Sequence, residues 1–280
     1  GYNRLESEVA GKIIENEDLV NWPNWLCLTF RIEGSEWFDL NKVEVQDYRQ
    51  VLNLKKGILS HSITFQDQES RITKLETHRI VSMHDENLAA IHWTLDAQNW
   101  SGQIEVRTAL DASVKNQGVD RYKALNSQHL ELLDSGQFGE EGIYVLVQTN
   151  QSHVQMAQAA RLRVYMEQDQ SPVKLERKLV EEGEVVAQHL TFEVEQHRLV
   201  CLEKTVSIYT SRSPAMAEPL LEACKKNQRA ESFQDIRAAH ELAWEHLWNQ
   251  GDLNITNNEE PQGIIRLHIF HLFQTVSPNT

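Results

Sequence analysis

The feature that most constrains this chain is an alternation of apolar and polar residues that repeats from Trp25 to about Tyr209. Successive side chains of an extended strand point to opposite faces, so a period of two predicts strands with one buried face. The clearest runs are WLCLTFRI, QIEVRTAL, RLRVYM and LTFEVEQ, which begin at Trp25, Gln103, Arg161 and Leu190. Many short strands of this kind predict two packed antiparallel sheets, that is, a β-sandwich.

Turn and loop signals separate these runs. Glycine beside small or charged residues predicts turns at Glu33-Gly34-Ser35, at Asp134-Ser135-Gly136 and at Glu182-Gly183-Glu184. The stretch from Gly1 to Asp18 mixes charges throughout, and Gly1-Tyr2 is interpreted as lying in a polar loop. Because the chain begins without Met, we expect it to be a piece of a longer protein.

The period changes to a helical one after Ser213-Pro214. A short helix is expected to end near residues 224–229. A second helix should begin at Ser232, because Ser232 is a good N-cap and Asp235 three residues later approximates a capping box. A third helix, Gly263–Val276, is apolar nearly all round, which is typical of a helix inside a larger protein. We expect the two earlier helices to contribute little to the sandwich core.

Composition excludes several classes of function. The chain has 27 Lys and Arg against 41 Asp and Glu, a net charge of −14, which disfavours nucleic acids and anionic membranes as partners. No run approaches the ~20 apolar residues of a membrane span. The three cysteines, Cys27, Cys201 and Cys224, are far apart and form no C-x-x-C pair, so a disulfide framework is not expected and a cytoplasmic location is favoured.

No catalytic or metal-binding motif is visible, and we expect neither a metal ion nor an organic cofactor. His240-Glu241 resembles part of a zinc motif, but the second histidine of H-E-x-x-H is replaced by Trp244. His240 and His246 are six residues apart on a helix and cannot share one ion. His268 and His271 are three residues apart on one side of a helix and could share one ion. The favoured interpretation is that they are hydrogen-bonded inside a helical core.

Acidic clusters and tryptophans leave two further candidates. Clusters such as Glu15-Glu17-Asp18 and Glu259-Glu260 are interpreted as solvated loop charge. Several of the seven tryptophans could form a sugar-stacking platform, although bulk in the sandwich core is the favoured interpretation. These tryptophans are Trp22, Trp25, Trp37, Trp93 and Trp100.

Five segments in order resemble the front part of glycoside hydrolase family 65, the family of maltose, trehalose, kojibiose and nigerose phosphorylases and some trehalose hydrolases. They are NWPNWLCLTFRIEG, THRIVSMHDENLAAIHWTL, NWSGQIEVRTALDASVKNQGVDRY, AHELAWEHLWNQGDLNI and IIRLHIFHLFQT, which lie between Asn21 and Thr275. The resemblance implies a mainly β protein: a large antiparallel β-sandwich over residues 1–210, a helical linker over 211–260 and the first helix of an (α/α)6 catalytic barrel over 261–280.

The resemblance also implies a function for the parent enzyme. In the family, a barrel glutamate protonates the glycosidic oxygen while phosphate or activated water attacks the anomeric carbon from the opposite face. The acid and the phosphate loop are expected downstream of Thr280, so no catalytic residue is assigned here, and inorganic phosphate is the expected co-substrate. We therefore expect a non-catalytic domain whose partners are the barrel of the same chain, a disaccharide substrate and, as an open question, a second copy. The alternative is a free-standing carbohydrate-binding or dimerisation module.

Overall fold

The computed structural model describes residues 2–116, 126–166, 172–213, 218–255 and 259–275. Its strands are β1 (Tyr2–Val9), β2 (Lys12–Leu19), β3 (Leu28–Ile32), β4 (Glu44–Asn53), β5 (Ile58–Gln66), β6 (Ile72–Val81), β7 (Leu88–Ala97), β8 (Gly102–Asp111), β9 (Leu130–Phe138), β10 (Gly142–Thr149), β11 (Gln155–Met166), β12 (Arg177–Glu182), β13 (Val185–Val194) and β14 (Val200–Thr210). Three helices follow: α1 (Pro219–Arg229), α2 (Phe233–Gly251) and α3 (Glu259–Phe273).

Two antiparallel sheets form the body of the protein. The larger sheet has eight strands in the order β4-β5-β6-β7-β14-β11-β10-β9, and the smaller has four in the order β12-β13-β8-β3. The largest apolar cluster takes buried side chains from both sheets, among them Phe30, Leu95, Ile104 and Leu202. The predicted β-sandwich followed by helices is therefore confirmed.

The alternation predicts burial correctly where one face is apolar. On β13, Leu190, Phe192 and Val194 are buried, whereas Thr191 and Glu193 are exposed. The side chains between the two sheets therefore come from the positions that the period of two selects.

Two local predictions are wrong. The first residues form a hairpin of β1 and β2 instead of a polar loop, and Asp134-Ser135-Gly136 lies within β9 instead of a turn. The hairpin escapes a search for apolar alternation because its buried face is partly polar: Asn3, Leu5 and Ser7 point inward. The amide of Asn3 is satisfied by His129 and by the side-chain oxygen of Asn150, at 3.1 and 2.7 Å.

Helices α1 and α2 add no side chain to the largest cluster between the two sheets, but both pack on the outer face of the eight-stranded sheet. Phe233 and Ile236 of α2 form a buried cluster with Ile58, Ile80 and Ala90 of that sheet. Burying one large apolar side chain contributes about 1.5–3 kcal/mol, so these helices are part of the folded unit.

Charged side chains of the sheet complete the helix ends. Arg161 donates to the carbonyls of Gln228 and Ala230 at the end of α1, and Glu203 accepts from the backbone N–H of Phe233 at the start of α2, at 3.3 Å. A cation at a helix C-terminus and an anion at an N-terminus both match the helix dipole. The predicted N-cap is confirmed, since the Ser232 side chain accepts from the Asp235 N–H. Within the described residues, no helix is both long and apolar enough to span a bilayer.

Lys204 is the most unusual residue of the core, because it is a fully buried lysine between the two sheets. Its Nζ donates to the carbonyl oxygens of Cys27 and Ala109, at 2.9 and 2.8 Å, and so joins the larger sheet to the smaller one. Burial lowers the pKa of Lys204 to about 7. The folded protein therefore releases this proton at a lower pH than the unfolded chain does.

We expect the lowered pKa of Lys204 to affect how the free energy of unfolding changes with pH. Between pH 7 and pH 10 the unfolded chain holds the proton and the folded chain does not, so the contribution of Lys204 to unfolding free energy rises with pH, by up to about 1.4 kcal/mol per unit. Urea unfolding at pH 7 and pH 9 should show that Lys204→Met loses this rise. The exposed-site variant Lys178→Met should keep the wild-type slope, and parallel curves for Lys204→Met and wild type would contradict the assignment.

Candidate functional site

The structure disperses the tryptophans that a sugar-stacking platform would require. Trp93 and Trp100 belong to the main core, while Trp25 and Trp22 pack against two other clusters. Trp244 and Trp248 of α2 form a further cluster with α3. Trp37 is the one tryptophan that packs against none of these apolar clusters within the described residues.

Trp37 lies on the connection between the two sheets, residues 33–43, which joins the edge strand β3 to the edge strand β4. The adjacent Phe38 turns inward and closes the edge of the core, with its ring 5.4 Å from Phe30 and 4.6 Å from Phe65. Trp37 points the other way, over the outer face of the four-stranded sheet. Phe38 therefore covers the edge of the core, whereas its neighbour Trp37 lies at the surface.

A polar network holds Trp37 in place. The Arg31 guanidinium lies 4.7 Å from the centre of the indole ring, and His189 meets the ring edge-on at 5.5 Å. Glu105 accepts from Arg31 Nε at 2.7 Å and bonds to His189 Nδ1 at 2.6 Å. Although burial acts in the opposite direction, the hydrogen bonds from His189 and Arg31 hold the pKa of Glu105 below its usual value. The carboxylate is thus ionised and orients both partners of the indole.

Beside Trp37 lies a cavity of about 230 Å³, which we call the Trp37 pocket. Its walls combine aromatic rings with charged side chains: Phe30, Arg31, Glu36, Trp37, Phe38, Asp39, Lys42, Phe65, Asp67 and Glu69. Several charges are already paired, such as Lys42 with Glu36 at 2.6 Å and Arg71, just outside the wall, with Asp67 at 2.7 Å. Asp39 accepts from the backbone N–H of Asn41, which lowers the pKa of its carboxyl.

A second candidate region joins α2 to α3. We call it the junction cluster; its buried members are Trp244, Trp248, Ile269 and Phe270. The rings of Trp244 and Phe270 stack with centres 4.7 Å apart, and Phe273 meets Trp248 edge-on at 5.3 Å. One side of α3 is thereby fixed to α2 by aromatic contacts.

Two side chains of α2, His240 and Trp248, also contact the turn between β4 and β5. Trp248 Nε1 donates to the carbonyl of Leu54 at 3.0 Å. His240 Nδ1 accepts from the Met83 N–H at 3.0 Å, so its Nε2 carries the hydrogen that faces the Gly57 carbonyl at 3.2 Å. Burial lowers the pKa of His240, which favours this neutral form. His240 is therefore a hydrogen-bonded, buried residue.

The other histidines considered as ligands lie elsewhere. His246 is exposed on α2. His268 and His271 are exposed on α3, so the interpretation of this pair as histidines inside a helical core is wrong for the described chain. Within the described residues there is no group of three or more side chains placed to hold a metal ion. Cys27, Cys201 and Cys224 all lie in the described part of the chain and are free thiols.

The side of α3 away from α2 is bare. Ile264 and Leu272 are exposed by 60% and 65%, and Leu267 by 38%. The helix begins at Glu259, four residues before the predicted start at Gly263, because Pro261 is tolerated in a first helical turn. The helix ends at Phe273, and the predicted terminal residue Val276, like Pro214 before α1, lies outside the described residues.

Comparisons with known proteins identify the family. The family described as "Glycosyl hydrolase family 65, N-terminal domain" matches residues 1–247. An uncharacterized glycosyl hydrolase of Mycobacterium tuberculosis is 34% identical over 279 residues, which are 100% of this chain and 21% of that protein. Kojibiose phosphorylase of Thermoanaerobacter brockii is 27% identical over 268 residues, 94% of this chain and 34% of the enzyme.

A solved structure, "Putative kojibiose phosphorylase from human microbiome", superposes with a TM-score of 0.80 at 18% identity, over 98% of this chain and 35% of that one. At this identity the match supports the fold. The chain belongs to glycosyl hydrolase family 65, and it is the N-terminal part of the family's architecture. It spans about a fifth to a third of the length of these relatives.

Sequence reasoning named Trp37 among five candidate stacking residues and found the apolar helix α3, but it did not find the side chains that hold them. The Arg31–Glu105–His189 network joins three strands, and no spacing along the chain shows that they are neighbours. Gly57 could have been found from the sequence, because a glycine in a short turn between two strand patterns indicates a special backbone conformation. Its φ of +64° favours glycine, and a Cβ there would lie 2.0 Å from Trp244 Nε1.

Gly57→Ala should therefore destabilise the protein more than its backbone angle alone explains. The left-handed φ costs about 1–2 kcal/mol, and overlap with the buried indole should add about 1–3 kcal/mol. Gly183→Ala is the matched control, since its φ is +61° and nothing lies within 4 Å of the added Cβ. Urea unfolding of both variants measures the difference, and equal losses would show that Trp244 does not press on this turn.

Proposed function

We propose that this chain is the non-catalytic N-terminal domain of an inverting glycoside phosphorylase, or of a related hydrolase, that acts on a glucose disaccharide of the maltose, trehalose or kojibiose type. Its role is to support the first helix of the catalytic barrel. The observation that carries this proposal is α3, which is fixed on one side by the junction cluster and bare on the other.

The bare side of α3 needs a partner. Ile264, Leu267 and Leu272 would each gain about 1.5–3 kcal/mol from full burial, a large incentive for docking on further helices. The remaining helices of an (α/α)6 barrel are the occupant that the family architecture supplies. The domain would then fix the start of the barrel relative to the sandwich through Trp244 and Trp248.

Catalysis is assigned to the parent enzyme outside these residues. In the proposed reaction a barrel glutamate protonates the glycosidic oxygen, and inorganic phosphate attacks the anomeric carbon from the opposite face. Phosphate is the co-substrate, no metal or organic cofactor is invoked, and a cytoplasmic setting is proposed from the unpaired cysteines. No residue of the described chain is proposed as catalytic.

A second candidate function is a free-standing carbohydrate-binding module. The Trp37 pocket favours it, because the pocket places an aromatic ring beside ionised carboxylates. The bare face of α3 argues against an independent module, since such a module would have to keep this apolar surface in water.

A chimera tests the supporting role. In the T. brockii kojibiose phosphorylase, the matching third should be replaced by residues 1–280 of this chain. The release of glucose 1-phosphate from kojibiose and phosphate should then be measured. We expect activity from the chimera and none above a buffer blank from the 280-residue chain. Trp244→Ala should lower the chimera's thermal stability and activity, while Gly183→Ala should preserve its activity. Product from the 280-residue chain would contradict the non-catalytic role, and a chimera unaffected by Trp244→Ala would contradict the supporting role.

The two sides of α3 should respond differently to substitution in the 280-residue chain. Ile264→Lys with Leu272→Lys removes exposed apolar surface, so solubility should rise and the melting temperature should stay near wild type. Phe270→Ala leaves a cavity beside Trp244 and should destabilise by about 3–5 kcal/mol. Light scattering and thermal unfolding measure both effects. A large fall in melting temperature for the double lysine variant would mean that the bare side is packed in solution.

A further inference from the structure

We propose that the Trp37 pocket binds a single neutral hexopyranose ring, and that its ligand is a glucosyl unit of the substrate class. Every wall residue of this pocket belongs to the sandwich domain. The choice of glucose rests on the proposed function, whereas the presence of a sugar site rests on the geometry.

The first argument is that folding does not account for Trp37. The other six tryptophans pack in apolar clusters and are explained by burial. Trp37 contacts the guanidinium of Arg31 and the edge of His189 and stays partly exposed. Core closure at this edge is done by its neighbour Phe38. A large aromatic ring kept at the surface beside a cavity is suited to packing against the C–H face of a sugar ring.

The second argument is preorganisation. Glu105 fixes both Arg31 and His189, and these two side chains fix the indole, so little side-chain freedom is left to lose on binding. Rigid aromatic anchors bind at a low entropic cost, which matters for a weakly binding ligand such as a monosaccharide. Residues that served only to solvate the sheet surface would not need this arrangement.

The third argument is the charge of the walls. Four acidic side chains, Glu36, Asp39, Asp67 and Glu69, face two basic ones, Arg31 and Lys42. An ionised carboxylate has about four acceptor positions, so the existing ion pairs leave positions free for hydroxyl donors. The acidic excess opposes phosphate and sugar phosphates. A neutral ligand with many hydroxyl groups is the class that fits.

The fourth argument is size. The cavity of about 230 Å³ is smaller than the usual range of about 300–1,000 Å³ for drug-sized ligands. It accommodates one sugar ring more readily than two. An open groove along residues 35–42 shares Trp37 and gives a second ring a place outside the cavity.

Fluorine NMR of the 280-residue chain tests the proposal. Labelling with fluorotryptophan gives one signal for each of the seven tryptophans, and Trp37→Phe assigns the signal of interest. The probes are glucose, maltose, kojibiose and trehalose, with mannitol and inorganic phosphate as negative probes. We expect a saturable shift of the Trp37 signal, with half-saturation at about 1–10 mM for at least one glucose-containing probe. The other six signals should shift much less, and mannitol and phosphate should have no effect.

Variants separate binding from a structural role. Trp37→Ala, followed by proton NMR of the sugar, should weaken binding at least tenfold with unchanged urea unfolding. Asp39→Asn should weaken binding several-fold, while Glu182→Gln, on β12 and away from the pocket, should leave it unchanged. A Trp37 signal that does not shift up to about 100 mM sugar overturns the site. Equal affinity in Trp37→Ala overturns it as well. Neither result bears on the chimera, so failure of this site and failure of the supporting role are distinguishable.

Discussion

The eight-stranded sheet carries apolar side chains on both faces, and the rest of the structure depends on excluding water from both. The inner face is covered by the four-stranded sheet, through a core that includes Leu95 and Leu202. The outer face presents Ile58, Ile80 and Ala90, which a two-layer sandwich would leave exposed. Helices α1 and α2 cover this outer face. They form a third layer on the sheet, because removing them would return buried apolar area to water.

This covering determines where the next part of the chain begins. Because α2 runs from Phe233 in the middle of the sheet to the turn between β4 and β5, its last turns bring Trp244 and Trp248 to the rim. Gly57 allows the indole of Trp244 to lie directly on that turn. The opposite surface of the two tryptophans receives α3. A path of packed aromatic rings therefore links the sandwich to α3.

On the connection between the sheets, two adjacent aromatic residues point to opposite sides. Phe38 closes the open edge of the core, and Trp37 is consequently directed to the outer surface of the smaller sheet, where Arg31, Glu105 and His189 hold it. Whereas Trp37 is an aromatic side chain at the surface, Lys204 is a polar side chain inside the core. It joins the two sheets by hydrogen bonds to backbone carbonyls. Both cases show polar side chains fixing the relative positions of elements that apolar packing alone would leave less specified.

Local sequence patterns were sufficient for the strand-rich sandwich, for the N-cap at Ser232 and for the apolar character of α3, because strand alternation and helix capping act between near neighbours. The family resemblance, not the pattern, supplied the expectation of a barrel. Tertiary structure decided the rest. The hairpin of β1 and β2 was missed because its inward face includes Asn3 and Ser7. The partners of these polar side chains lie more than a hundred residues away: Asn3 bonds to His129 and Asn150, and Ser7 accepts from the backbone N–H of Asn126. The polar network around Trp37 joins residues 31, 105 and 189 for the same reason: cross-strand neighbours are set by sheet order and register, and these depend on contacts between residues far apart in the chain.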